Sequence, residues 1–202
     1  MLISVFLGAG TVKVFQEVIE TRIPGCYLIR PWRHHDMRGQ FVKTFHAQAF
    51  RELGLEDNFR ESYYSVSCKG VLRGMHFQRP PSHHAKLVYC VSGRILDAFV
   101  DLRGGSGLFG AHECVELSAE NGLVLYLSPG VAHGFYVLSD EAITVYHTAV
   151  EYDPEADSGV RWDTCGIPWP TASPILSARD GNLPPLEEAR DLFPWESSDE
   201  RR

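Results

Sequence analysis

From Val71 to Tyr152 the chain passes through short runs rich in Val, Ile, Leu, Phe and Tyr, each soon broken by Gly, Pro, Ser or Asp. Short runs bounded by turn formers, without a sustained helical period, are the pattern of an all-β protein. Lys86 to Arg103 reads as two strands joined by a tight turn at Ser92-Gly93. In the second, Leu96, Ala98, Val100 and Leu102 alternate on one face, and Asp97, Asp101 and Arg103 make the other polar. Leu123 to Ser128 then runs into a Pro129-Gly130 turn, Gly134 to Leu138 into a Ser139-Asp140 turn, and Ile143 to Tyr152 closes the series. On that last strand Thr144, Tyr146 and Thr148 share a face. Inside a barrel they would put a phenol and two hydroxyls around a wet cavity; the same period also fits a solvent face.

Helical signal is confined to Ala47–Leu53, ended by Gly54, and to Leu186–Leu192 after Pro184-Pro185. Both segments are expected to be peripheral. At 202 residues, with no repeat or linker, the chain reads as a single β domain over 1–202 with a polar tail from about 196 to 202. Residues 1–8, MLISVFLG, read as a strand, being too short for a membrane span and lacking the basic leader of a signal peptide. Gly8 to Gly10 lack the third glycine and the following helix of a dinucleotide loop.

Composition narrows the classes. Hydrophobic content of 44% with 22% charged residues suits a packed globular chain rather than a disordered one. A net charge of −7 offers no field for a nucleic acid polymer, although a few local Arg and Lys residues can still hold a small anion. The five cysteines are odd in number, scattered and without a C-x-x-C pair, which fits reduced thiols in the cytoplasm.

Candidate chemistry is densest in Gly70–Lys86, GVLRGMHFQRPPSHHAK, with three His, two Arg and a Lys. Strict alternation puts Arg73 and His76 on opposite faces; a bulge at Gly74 would turn both inward. An imidazole is close to half-charged near neutrality, so His76 suits a general base, though a hydrogen-bonded structural histidine fits the same position. A metal reading would draw on His76, His83 or His84, and His133. It lacks an H-x-H pair, and Arg79 and Pro80 stand where a carboxylate ligand would be expected.

RGQF (38–41), GVLRGMHFQ (70–78), KLVYCVSGRILDAFVDLR (86–103), PGVAHGF (129–135), VYHTAVEY (145–152) and SARD (177–180) together resemble the dTDP-4-dehydrorhamnose 3,5-epimerase family. The segments follow the family's order and approximate spacing from about Ile19 to Pro185. The resemblance implies a cupin-type jelly-roll barrel with a few short peripheral helices. It also implies a homodimer and an isomerase that uses no metal or other cofactor on a deoxythymidine-diphosphate 4-keto-6-deoxyhexose. By position, His76 resembles the catalytic base, Asp180 its carboxylate partner, Lys86 the group facing the C4 oxygen, and Tyr146 the acid. Arg73 resembles a diphosphate-side arginine, Arg38 and Phe41 match positions near the nucleotide, and His133 with Asp97 matches a second histidine–carboxylate pair.

Those residue types suit the reaction on their own chemistry. A C–H bond beside a ketone ionises only if charge moves onto the carbonyl oxygen, which Lys86 can stabilise while His76 takes the proton. Inversion then needs a donor on the opposite face, such as the Tyr146 phenol. The chain departs from the family's usual residues at Lys43, in place of glutamate, and at Glu61 and Tyr63, in place of amides. These changes alter hydrogen bonding near the bound nucleotide-sugar, so the expectation is a retained catalytic core, a dTDP-linked sugar as the leading substrate, and room for a shift to another 4-keto sugar, another nucleotide or inversion at one carbon only. A sugar 3,4-ketoisomerase, a non-catalytic sugar-nucleotide-binding cupin and a metal-dependent cupin remain the rival readings.

Overall fold

Alternating inward and outward residues are resolved into two facing antiparallel sheets in the computed structural model, which describes residues 14–194 apart from 106. The strand read at 1–8, the glycines at 8–10 and the tail from 196 lie outside the described residues. In chain order the strands are β1 (Phe15–Glu20), β2 (Tyr27–Pro31), β3 (Arg33–Asp36), β4 (Gly39–Val42) and β5 (Glu61–Cys68). Then come β6 (Leu72–Gln78), β7 (Lys86–Ser92), β8 (Arg94–Asp101), β9 (Arg103–Gly104) and β10 (His112–Ser118). The series ends with β11 (Val124–Leu127), β12 (Val131–Val137), β13 (Glu141–Thr148), β14 (Asp157–Gly159) and β15 (Phe193–Pro194). One sheet has the order β1-β2-β11-β7-β13-β5 and the other β10-β8-β12-β6-β14.

From β5 to β8 and again from β11 to β14 the chain changes sheet at every turn, the connectivity of a cupin-type jelly roll. This corrects one local expectation. Ser92-Gly93 joins two strands as the sequence indicates, but they belong to different sheets and do not pair. The turn is still tight: Gly93 has φ +73°, and a Cβ there would sit 2.0 Å from the Glu141 carbonyl oxygen.

The polar face of β8 points into the barrel, where Asp97 is completely buried beside Ile95 and Phe99. Ala98, Val100 and Leu102 face outward into a second cluster with Val160, Ile167 and Phe193. Thr144, Tyr146 and Thr148 are all buried on the inner face of β13. The core between the sheets includes Val88, Phe99, Leu125, Phe135 and Tyr146.

The helix α1 (Ala47–Glu52) forms where expected, with His46 Nδ1 accepting from the Ala49 N–H and Gly54 following at φ +71°. It lays Phe50 on the outside of the larger sheet among Val18, Ile29, Leu87 and Tyr126. The helix expected over Leu186–Leu192 is instead one 3₁₀ turn, Leu186–Ala189. The chain straightens after it so that Phe193 can pair with Arg103 in β9. A second helix, α2 (Ala178–Gly181), is a single turn opened by Ser177, whose hydroxyl accepts from the Asp180 N–H.

Candidate active site

Gly74 decides what the site contains. β6 pairs with β12 so that His76 faces His133 and Arg73 faces Phe135, three residue steps along β6 matching two along β12. That bulge turns Arg73 and His76 into the same cavity. Gly74 has φ +135° and lies so close to β12 that an added Cβ would meet the Gly134 Cα at 2.5 Å.

The cavity lies between the sheets and measures about 290 Å³. From the smaller sheet it takes Arg73, His76, His133 and Phe135, and from the larger Tyr63, Ser65, Lys86 and Tyr146. Phe135 and Tyr146 also belong to the hydrophobic core, which therefore forms its floor. A second chamber of about 300 Å³ shares Tyr63, His76 and Lys86 with the first and adds Glu61, His84, Thr148, Asp157 and Arg179 among others. Together the two reach the size range of small-molecule sites, roughly 300–1,000 Å³.

Two imidazoles are oriented by carboxylates. His76 Nε2 lies 2.8 Å from Asp180 Oδ1, and His133 Nε2 lies 2.8 Å from Asp97 Oδ2. A carboxylate acceptor selects the Nε2–H tautomer, leaving the lone pair on Nδ1 in both rings. Asp180 is held by α2. Burial works to raise its carboxyl, but His76, the Gly74 N–H at 3.3 Å and Ser177 together bring it below the ordinary carboxylate value. In Asp97 burial outweighs the attraction of His133, and its carboxyl is raised.

Lys86 is desolvated, which pushes its ammonium down to about 8, with Asp157 opposing and Arg179 adding to the fall. Burial raises the Tyr146 phenol well above its ordinary value, so it keeps its proton; Ser65 Oγ lies 3.4 Å from its oxygen. The Tyr63 ring stacks on Tyr146 with centroids 4.8 Å apart, and burial pushes its phenol up to about 12. Arg73 is steadied by a 2.9 Å bond from Nε to Ser67 Oγ, which leaves the terminal guanidinium nitrogens for a ligand.

The arrangement gathers an imidazole, an ammonium and a phenol around one cavity, groups that between them can take up a proton, balance a negative charge and donate a proton. His76, Lys86, Tyr146, Arg73, His133 and Tyr63 line the inner chamber, Glu61 the outer, and Asp180 and Asp97 stand behind the imidazoles. Arg38, Phe41 and Lys43 line neither chamber. They are exposed in or just after the β3–β4 hairpin, where Arg38 is tied to Asp36 at 2.6 Å. Sequence reasoning missed His84 and Arg179 as chamber residues, although Arg179 lies within the SARD segment. Among the described residues no three His, Cys, Asp or Glu side chains cluster as a metal-binding group, and no helix is long and apolar enough to cross a membrane.

Residues 20–188 match the family model described as dTDP-4-dehydrorhamnose 3,5-epimerase. A relative named dTDP-4-dehydrorhamnose 3,5-epimerase from Methanothermobacter thermautotrophicus is 43% identical, covering 84% of this chain and 94% of that one. A dTDP-4-dehydrorhamnose 3-epimerase from Streptomyces niveus is 40% identical over 84% of this chain and 83% of its own. The Legionella pneumophila epimerase solved with dTDP-4-keto-L-rhamnose superimposes with a TM-score of 0.84 at 35% identity, covering 90% of this chain and 99% of that one. With a bulged β6 bringing Arg73 and His76 into one jelly-roll cavity and a family match across most of its length, the chain belongs to the dTDP-4-dehydrorhamnose 3,5-epimerase family and is an epimerase.

Proposed function

We propose that this epimerase takes a dTDP-linked 4-keto-6-deoxyhexose between its two sheets and inverts a carbon beside the ketone through an enolate. The observation that carries the reading is that His76 on one sheet and Tyr146 on the other line a single cavity with Lys86 beside them. His76 Nδ1 takes the α-proton, with Asp180 stabilising the imidazolium that forms. The C–H electron pair moves onto the C4 oxygen, whose charge the Lys86 ammonium balances. The Tyr146 phenol delivers a proton to the opposite face, and the imidazolium and phenolate are reset by exchange with solvent. Arg73 serves the diphosphate side, and the His133–Asp97 pair lines the sugar.

The relatives include both a 3,5-epimerase and a 3-epimerase at similar identity, so the number of inverted carbons belongs to the experiment. Purified protein in deuterated water with dTDP-4-keto-6-deoxyglucose is expected to place solvent deuterium at the inverted carbon. Label at C3 alone means single inversion, and label at C3 and C5 double. His76→Asn should slow labelling about 10²–10⁴-fold. Unlabelled, unconverted sugar from the wild-type protein would sink the reading.

Arg38 and Phe41 can act near the nucleotide only from a position outside their own cavity. A homodimer, in which the exposed hairpin of one copy approaches the site of the other, satisfies both the placement and the resemblance. The five free thiols fit a reducing cytoplasm.

A further inference from the structure

The inner face of β5 runs along both chambers. Glu61 lines the outer chamber, Tyr63 both and Ser65 the inner one, at successive inward positions of the strand. Two of these three meet Tyr146. Tyr63 is its direct cross-strand partner, and the two rings stack with centroids 4.8 Å apart and 18° between their planes. Two residues further on, Ser65 Oγ lies 3.4 Å from the Tyr146 oxygen.

The contact between the two rings is unequal. Tyr146 is 8% exposed and belongs to the core between the sheets, whereas Tyr63 is 44% exposed on a strand that ends its sheet. Tyr63 thus covers a face of Tyr146 while remaining open to the site itself. It stands where an amide is usual in the family, and an amide side chain has no aromatic face to stack. The chain therefore carries a support for its phenol that the usual residue cannot provide.

Such a support has a chemical consequence, because an enolate has two ways out. The His76 imidazolium can return its proton to the face it came from, which regenerates the substrate. The Tyr146 phenol can instead deliver a proton to the opposite face, which inverts the carbon. Which route wins depends on how much of the time the phenol points at that face. An offset stack favours one ring placement by about three- to ten-fold over a ring left to turn.

Resting on the enolate reading above, we propose that Tyr63 is a positioning residue: by stacking on Tyr146 it keeps the phenol aimed into the inner chamber and commits the enolate to inversion rather than return. The aromatic ring carries this role, and the Tyr63 hydroxyl is not needed for it.

The test follows the proton, using the full-length protein in deuterated water with dTDP-4-keto-6-deoxyglucose at low conversion. Return through His76 after exchange with solvent leaves deuterium in unconverted sugar, and delivery by Tyr146 leaves it in inverted product. The ratio of the two labelled sugars reports the partition. Tyr63→Asn and Tyr63→Leu both remove the aromatic ring and should raise labelled substrate relative to labelled product by about three- to ten-fold. Tyr63→Phe keeps the ring and should give the wild-type ratio. Partial unfolding of a variant lowers the amount of active enzyme without moving that ratio, so a purely structural role predicts no change. Variants without the ring that partition as the wild type does overturn the positioning role alone. A Tyr63→Phe protein altered as much as Tyr63→Asn also overturns it, by making the hydroxyl the working group. A wild-type protein that labels neither sugar removes the enolate reading and this role with it.

Discussion

Lys86 is a cation whose usefulness depends on being uncomfortable. Its folded value of about 8 lies below the ordinary 10.5, so the unfolded chain holds the proton more tightly and the charged side chain costs stability at every pH below 8. That cost fades as pH rises from 8 to 10.5. Lys86→Met should therefore stabilise the fold at pH 7 by roughly 1–3 kcal/mol, with the advantage shrinking toward pH 10 in denaturant titrations. The same change should lower kcat by about 10²–10³-fold, the usual loss on removing an oxyanion donor. On the proposed role of Lys86 opposite the ketone, kcat/KM of the wild-type protein should fall above pH 8 as the ammonium is lost. A variant that is both less stable and still active would contradict the assignment. His76, Lys86, Tyr146 and Asp180 were legible from the sequence because each sits in a segment whose neighbours also match. Arg179 was not, since what brings it to the outer chamber is a 2.9 Å ion pair with Asp157 of β14, and no periodicity encodes that.

At the scale of elements, turn formers revealed where strands stop but not which sheet each joins. Ser92-Gly93 and Pro129-Gly130 each mark a real change of direction, yet sheet membership is set by which faces can bury Phe99, Leu125 and Phe135 together. The bulge on β6 was readable because Arg73 and His76 have the wrong parity for a shared face and a glycine lies between them. It is also the element most exposed to a single substitution. Gly74→Ala would add a methyl 2.5 Å from the Gly134 Cα and 3.0 Å from the His133 carbonyl oxygen, at a φ of +135° that side chains rarely adopt. Backbone blocks both contacts, so no side chain can swing aside. Loss of about 2–4 kcal/mol in unfolding free energy is expected. The kcat should fall even where the variant is still folded, because the Gly74 N–H holds Asp180 behind His76. A Gly74→Ala protein with wild-type kcat would show that the bulge is not what aims the base.

For the whole molecule, the outer face of the larger sheet is covered only in part. The α1 cluster shelters Leu87 and Val124, whereas Tyr64 is 68% exposed, Val66 48% and Val91 50%. Tyr64 lies in register with Val145, and Val145 with Tyr89, so these side chains form an apolar band that ends on the open edge of β5. An eight-residue strand whose outer edge pairs with no other strand among the described residues, with apolar neighbours, invites another chain, and the common remedy is to bury it against a second copy. Phe41, 62% exposed on its hairpin, adds to the surface available. A stable dimer of this kind buries about 1,200–2,000 Å² in all, and sedimentation should give a species of twice 22.7 kDa. Placing ammonium groups in the band with Val66→Lys and Val91→Lys, neither of which lines the inner chamber, should shift the protein toward the single-chain mass. If the partner's hairpin carries Arg38 and Phe41 to the nucleotide, that shift should raise KM about ten-fold or more while the pH dependence set by Lys86 is unchanged, and adding Arg38→Ala to the separated chains should cost nothing further. A wild-type protein that is fully active at the single-chain mass would remove both the dimer and the role of the hairpin in it.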